Sequence, residues 1–282
     1  MRVQIRAPER HGALNTLEAM RGAAFFDLDK TLIEGSSAIH FGRAAYRAGM
    51  MSRRQLARDL WANLRFRMSG STDEGTEELK ARVLESIAGL RVVDLARLSP
   101  DVLAGVLPRV YPQMLAEAYG HQDAGRPVYI VTAASQELAE MLAHVLGFDG
   151  GIGFRSEVRD GRYTGRSAGP FTYRSGKAEA IRQIAERDGI DLAESYAYSD
   201  SESDLPMLQA VGHPVAVNPD DELRDVARRE GWRVIHFDRL RRRLRIAAAA
   251  GAFAAAGGGG GYVAARLRPG QRRSSLRRLL VR

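Results

Sequence analysis

The sequence predicts an α/β fold: a parallel sheet covered by helices, with an α-helical module inserted after the first strand and a basic tail at the carboxyl end. Three observations predict it. Short apolar runs ending near residues 26, 131 and 198 alternate with helical stretches, the pattern that builds parallel sheets. The long segment between the first two runs has helical spacing and no strand alternation. Every charged side chain from 239 to 282 is arginine, whereas the residues before it are mildly acidic.

Residues 1–22 are polar, lack the roughly 7–15-residue apolar stretch of a secretory signal, and read as a flexible leader. Phe25 and Phe26 then mark a buried strand that runs into Asp27-Leu28-Asp29-Lys30-Thr31. Residues 36–117 form the helical insert. Apolar residues recur at helical spacing through Leu56, Leu60 and Leu64, and again through Leu79, Val83 and Ile87. Ser71-Thr72-Asp73-Glu74 reads as a helix start, and Pro100, Pro108 and Pro112 punctuate the remainder.

The sheet resumes after Gly125-Arg126-Pro127, so the core comprises 23–35 and 118–238. Val128–Thr132 is a short apolar run of the kind buried in parallel sheets, and a helix follows from Gln136 to Leu146. Glu157–Thr164 is a hairpin, with Asp160-Gly161 supplying the positive φ of a tight turn. A helix over Lys177–Arg187, a strand ending at Asp200, and strands at Pro214–Val217 and Trp232–Phe237 complete the core.

At 282 residues the chain can bury a sizeable core together with an inserted module. The absence of cysteine excludes disulfides, thiol nucleophiles and thiolate-bound zinc, and fits a cytoplasmic location. The net charge of +8 divides into +12 over 239–282 and −4 over the preceding 238 residues. Lysine occurs only at 30, 80 and 177, so arginine usage is heavy throughout and the lysines that do occur are informative.

Asp27 and Asp29 share one face at the carboxyl end of the first strand, because side chains two apart on a strand point the same way. Paired carboxylates there are costly unless a cation or a proton separates them. Strand carboxyl ends are also where α/β proteins bind ligands. Three further features fall at strand-to-helix junctions: Thr132, Lys177, and the loop Asp200-Ser201-Glu202-Ser203-Asp204. Each alone has a dull explanation, Thr132 and the Asp200/Asp204 pair as helix caps and Lys177 as a solvated helix residue. Four such features in this order are much harder to explain as coincidence.

In order and context these residues resemble the haloacid dehalogenase-like (HAD) hydrolase superfamily. Asp27-Leu28-Asp29-Lys30-Thr31 matches its Asp-x-Asp-x-Thr motif, and Tyr129-Ile130-Val131-Thr132 its apolar run ending in Thr or Ser. Lys177 matches its lysine near a helix start, and Asp200 through Asp204 its Asp-x-x-x-Asp loop. An insert directly after the first motif resembles the helical cap of subfamily IB, the phosphoserine-phosphatase-like branch. The resemblance covers 23–237 and implies a Rossmann-like core and a Mg²⁺-dependent phosphomonoesterase. It implies that Asp27 is the nucleophile, Asp29 the general acid and base, and Thr132 and Lys177 the phosphate ligands. It also implies metal ligation by Asp27, the backbone carbonyl of Asp29, and Asp200, with Asp204 and Thr31 in supporting roles.

Two departures bear on the substrate. Phosphoserine phosphatases usually carry a glutamate nine residues after the nucleophile, where this chain has Ser36, and the nearest glutamate is Glu34. Ser203 stands where they usually have asparagine. Asp29 favours phosphate chemistry over the haloalkanoate dehalogenase branch, which normally lacks the second aspartate. A small phosphate ester, phosphoserine-like or a lipid headgroup phosphate, is the expected substrate, with no nucleic-acid partner.

Residues 246–265 carry no charge and reach the length of a membrane span, but sixteen of the twenty are alanine or glycine. Gly257 to Gly261 cost roughly 1 kcal/mol each in helix propensity relative to alanine. This favours a flexible arginine-rich tail over a weak span or reversible surface attachment, with attraction of the arginines to anionic headgroups as the secondary expectation. The competing reading is a membrane- or nucleic-acid-associated binding protein on a vestigial HAD fold. The tail has no interleaved aromatics for base stacking, and all four motifs are intact.

Overall fold

The structure, a computed structural model, describes residues 21–54, 57–58 and 73–237. The chain divides into two units, Met1–Ile235 and His236–Arg282. Almost all of the second, with the Ala/Gly-rich segment, lies outside the described residues, as do the leader through residue 20 and the Leu56/Leu60/Leu64 repeat.

Six parallel strands form the main sheet: β1 (Ala24–Asp27), β2 (Val128–Ser135), β3 (Gly150–Phe154), β6 (Tyr196–Ser199), β7 (His213–Val217) and β8 (Arg233–Ile235). Their spatial order is β3-β2-β1-β6-β7-β8. The chain builds outward from β1 through β2 to β3, then returns to lay β6 on the other side of β1. The strand order therefore reverses between β1 and β6, and a crevice at such a switch point is where open α/β sheets bind ligands. β4 (Ser156–Arg159) and β5 (Arg162–Ser167) form the expected hairpin, with positive φ at Asp160 and Gly161.

Both faces of the sheet are buried, which explains why its strands read as continuous apolar runs. Phe25 faces the helices α7 (Ser175–Asp188) and α8 (Leu205–Leu208), in a cluster with Val131, Ile181, Ala197 and Met207. Phe26 faces the other way and stacks on Tyr198, ring centroids 4.2 Å apart. Both phenylalanines are fully buried, worth about 1.5–3 kcal/mol each. Helix α6 (Gln136–Leu146) is capped by the Ser135 hydroxyl and ends on left-handed Gly147, and α9 (Asp221–Glu230) is capped by Asp220 and ends on Gly231.

The sequence reading did not anticipate β3. Its Gly150-Gly151-Ile152-Gly153 has poor strand propensity. The glycine at 151 is needed because α6 packs directly on this strand: a Cβ there would lie 2.2 Å from the Ala139 backbone. Tertiary packing overrides local preference at this point.

The described part of the insert contains α1 (Ser37–Arg47), α2 (Asp73–Ile87), α3 (Val92–Ala96) and α4 (Ser99–Val106), followed by a 3₁₀ turn at Leu107–Arg109. Helix α5 (Pro112–Asp123) runs through the 117/118 boundary expected from sequence. It is a single helix because Met114, Ala118 and His121 form one buried stripe, and His121 bonds Tyr198 of β6 (2.7 Å). Backbone bonds fasten the insert at two places. Glu34 N–H donates to Arg109 O (2.8 Å) and Tyr111 N–H to Leu32 O (2.9 Å). At the hairpin, Gly89 N–H donates to Tyr163 O (2.8 Å), Tyr163 N–H to Leu90 O (3.0 Å) and Val92 N–H to Gly161 O (2.9 Å).

Candidate active site

The carboxyl ends of β1, β2 and β6 bring the sequence motifs together. Asp27 is the last residue of β1, and its register neighbour on β2 is Val131, which places Thr132 one residue beyond. Asp200 follows the last residue of β6. Asp27, Thr31, Thr132, Lys177, Asp200 and Asp204 are all buried.

Lys177 is the organising cation. Its Nζ donates to Asp27 Oδ1 (2.5 Å) and to Asp204 Oδ2 (2.7 Å). It reaches them from the first turn of α7, where Gly176 is required: a Cβ there would sit 1.8 Å from Phe171 O. Burial alone would lower the ammonium pKa, but Asp204 and then Asp27 outweigh it and hold the lysine charged well above its ordinary range. The bond to Lys177 engages Asp27 Oδ1, and no described residue donates to Oδ2.

The Asp200 side chain joins from the other side. Thr31 Oγ1 donates to its Oδ1 at 3.5 Å, and Lys30 Nζ lies 3.6 Å from Oδ2. Burial, then the Asp27 carboxylate, raises the Asp200 pKa, and burial raises Asp27 in spite of Lys177. Asp204 caps nothing: its Oδ2 accepts from Lys177 and from Ser199 Oγ (2.7 Å), while its buried Oδ1 has no partner.

Asp29 is held differently. Its Oδ1 accepts the Ser37 backbone N–H and its Oδ2 the Ser36 hydroxyl, both at 2.7 Å. The carboxylate thus sits at the start of α1, where helix amides attract negative charge. The cap of α6 is Ser135, not Thr132. Thr132 Oγ1 accepts from Ala134 N–H (3.1 Å), and its own hydroxyl proton meets no acceptor among the described residues.

The donor set fits a hard divalent cation. Asp27 and Asp200 offer carboxylate oxygens, and the Asp27 carboxylate disfavours ionisation of Asp200, a penalty that a cation between them would remove. The orphaned Asp204 Oδ1 is an acceptor that a water on a hydrated ion would satisfy. No group of three or more His, Asp or Glu side chains suited to a metal occurs among the described residues.

Sequence reasoning missed two residues. Ser199, the last residue of β6, tethers Asp204. Ser36 contacts Asp29, and its signal was present as the departure from glutamate at this position.

Comparison with known proteins identifies the family. The family of haloacid dehalogenase-like hydrolases (HAD) matches residues 24–209. Phosphoserine phosphatase SerB1 of Mycobacterium tuberculosis is 37% identical over 231 residues, 80% of this chain and 74% of that protein. A probable phosphatase from the same species is 37% identical over 225 residues, covering 79% of this chain and 78% of its own. Among solved structures, a Bordetella pertussis Tohama I protein of unknown function is 32% identical, with a TM-score of 0.69 over 77% of this chain and 99% of its own. With its motifs gathered at the switch point of the sheet, the chain belongs to the haloacid dehalogenase-like hydrolases, on their phosphoserine-phosphatase-like branch.

Proposed function

We propose that the protein is a Mg²⁺-dependent phosphomonoesterase that works through an aspartyl phosphate on a small metabolite, phosphoserine-like or bearing a lipid headgroup phosphate. The observation that carries this reading is the buried contact between Lys177 and one oxygen of Asp27, which leaves the other oxygen unengaged. Asp27 Oδ2 attacks phosphorus in line, the bond to the leaving oxygen breaks, and the phosphoryl group rests on the aspartate. Asp29 gives its proton to that oxygen. It then takes a proton from the water that attacks phosphorus and releases inorganic phosphate, regenerating Asp27.

Lys177 and the Thr132 hydroxyl would hold the equatorial oxygens, where charge is spread in the transition state. Asp204 keeps the lysine charged and aimed. Asp27, Asp200 and the Asp29 carbonyl would hold the Mg²⁺, which supplies charge neutralisation for the phosphoryl oxygens when bound. Ser36 stands where a phosphoserine phosphatase would place glutamate and turns to Asp29, so an amino group on the substrate is not met by that carboxylate.

The decisive experiment is phosphate release from phosphoserine, glycerol phosphates and phosphorylated lipids, with and without Mg²⁺. Asp27→Asn is expected to lower turnover by about 10³-fold or more with the fold intact by circular dichroism. Turnover near wild type in that variant would refute the aspartyl-phosphate route.

Among the described residues no helix is long and apolar enough to cross a membrane. The expected tail attachment concerns 239–282, outside those residues, and stays a proposal. Loss of activity on lipid vesicles, but not on soluble esters, after deletion of the tail would support it.

A further inference from the structure

Between α1 and α4 lies a cavity of about 230 Å³ whose charged lining the reaction above does not use. Its charged and titratable side chains are His40, Arg43 and Arg47 from α1, Asp101 from α4, and Arg109 beyond it. Arg43 and Arg47 have no carboxylate partner among the described residues, and Asp101 is ion-paired to none of the arginines. Arg109 gives one N–H to the Gly105 carbonyl (2.6 Å). Burial, then Arg109 and Arg43, pushes the His40 imidazolium pKa down, with Asp29 opposing. Three guanidinium groups against one carboxylate make the cavity strongly cationic.

The cavity is linked to the reaction centre through α1. His40, Arg43 and Arg47 are spaced by three and four residues, which puts them on one face of the helix. Ser36, the N-cap residue of that helix, bonds Asp29. The opposite wall is tied to the same loop, because Glu34 N–H bonds Arg109 O and Tyr111 N–H bonds Leu32 O. Both walls hang from the segment that follows β1, so an anion held here has a fixed position relative to Asp29.

We propose that this cavity is a subsite for a second oxyanion, phosphate or carboxylate, borne by the phosphorylated substrate. The inference rests on the phosphatase reading above and narrows its substrate class to esters with two separated acidic groups. Arg43 and Arg47 lie six and ten residues along α1 from Ser37, roughly 9 and 15 Å of helix rise. Such a span suits a ligand longer than phosphoserine, whose carboxyl carbon is three bonds from its ester oxygen. Guanidinium groups suit the role because they bind phosphate and carboxylate in two-point fashion.

The test compares α,ω-alkanediol bisphosphates of increasing length with the matching monophosphates, on the full chain and on Arg43→Ala/Arg47→Ala. Both side chains are exposed and alanine favours helix, and thermal unfolding checks that the variant folds. The wild type is expected to prefer one bisphosphate length by about tenfold or more in kcat/KM, mainly through KM. In the double variant that ratio should collapse, with partial recovery in Arg43→Lys/Arg47→Lys. A wild type indifferent to the second anion, or a preference that survives in the alanine variant, overturns the subsite.

Calorimetric binding of alkane bisphosphonates and ω-phosphonocarboxylates separates this claim from the activity. If no ester is hydrolysed, the phosphatase reading fails. Arginine-dependent binding of the second group would still support the subsite, and binding no tighter than that of a monophosphonate would overturn it. The bisphosphonate and phosphonocarboxylate arms identify which oxyanion is preferred.

Discussion

The Asp29 carboxylate accepts the backbone N–H of Ser37, eight residues on, at 2.7 Å, while the neighbouring Ser36 hydroxyl bonds its other oxygen. The proposed proton donor is thereby also the N-terminal anchor of the first helix of the insert. A carboxyl that must alternate between acid and base needs a partner that can reverse its own hydrogen bond. A hydroxyl can donate to the ionised form and accept from the protonated one.

Ser36→Ala should therefore reduce kcat rather than binding. Losing one hydrogen bond to a charged group in the transition state is worth about 1–2 kcal/mol, or roughly 5- to 30-fold. Steady-state kinetics on a hydrolysed ester would show it. An unchanged kcat with a raised KM would instead assign Ser36 to substrate binding.

Lys177 holds two buried carboxylates, so its removal exposes a larger cost than a surface pair would. Lys177→Met should lower unfolding free energy by about 3–5 kcal/mol as well as abolish activity, since it leaves Asp27 and Asp204 without their cation. Urea denaturation measures the first effect. A midpoint within error of the wild type would refute this account of the buried lysine.

His121 is predicted to make stability depend on pH. It is buried on α5: Nδ1 accepts from Arg126 (2.8 Å), Nε2 faces the Tyr198 hydroxyl, and Tyr198 in turn bonds Glu117 (3.2 Å), which pairs with Arg233. Burial, then Arg126, lowers its pKa from 6.5 to about 4, with Glu117 opposing. The folded state keeps the ring neutral, so the associated stability is fully present above pH 6.5 and is lost as pH falls toward 4. The loss has a limiting slope of about 1.4 kcal/mol per pH unit. In His121→Gln this increment of acid sensitivity should vanish although the baseline stability is lower. Parallel pH profiles for the two proteins would refute the assignment.

The reaction centre was far more legible in sequence than the region around it. Asp27, Thr132 and Asp200 each sit where an apolar run ends and Lys177 near a helix start, and their order matches the motifs of the family that the sequence resembles. β3 was invisible because its glycines record a helix pressed against the strand, a tertiary fact with no local signature. The roles of Ser36 and Ser199 were hidden because a serine hydroxyl looks the same in sequence whether it caps, solvates or positions a neighbour. Only the packing of α1 on α4 shows that Arg43 and Arg47 share one cavity with Arg109.

The stitching of residues 89–92 to the 161–163 hairpin constrains how a ligand gets in. Together with the pairing of 32–34 against 109–111, it fastens the described part of the insert at two places. A hinged swing of the whole insert would have to rupture main-chain bonds at one clamp or the other, so admission and release should occur by breathing of the stretch between them. Amide deuterium uptake at Gly89, Val92 and Tyr163 should accordingly be as slow as in the central strands, with and without phosphate. Rapid uptake there on turnover would reveal a gate that opens by unzipping.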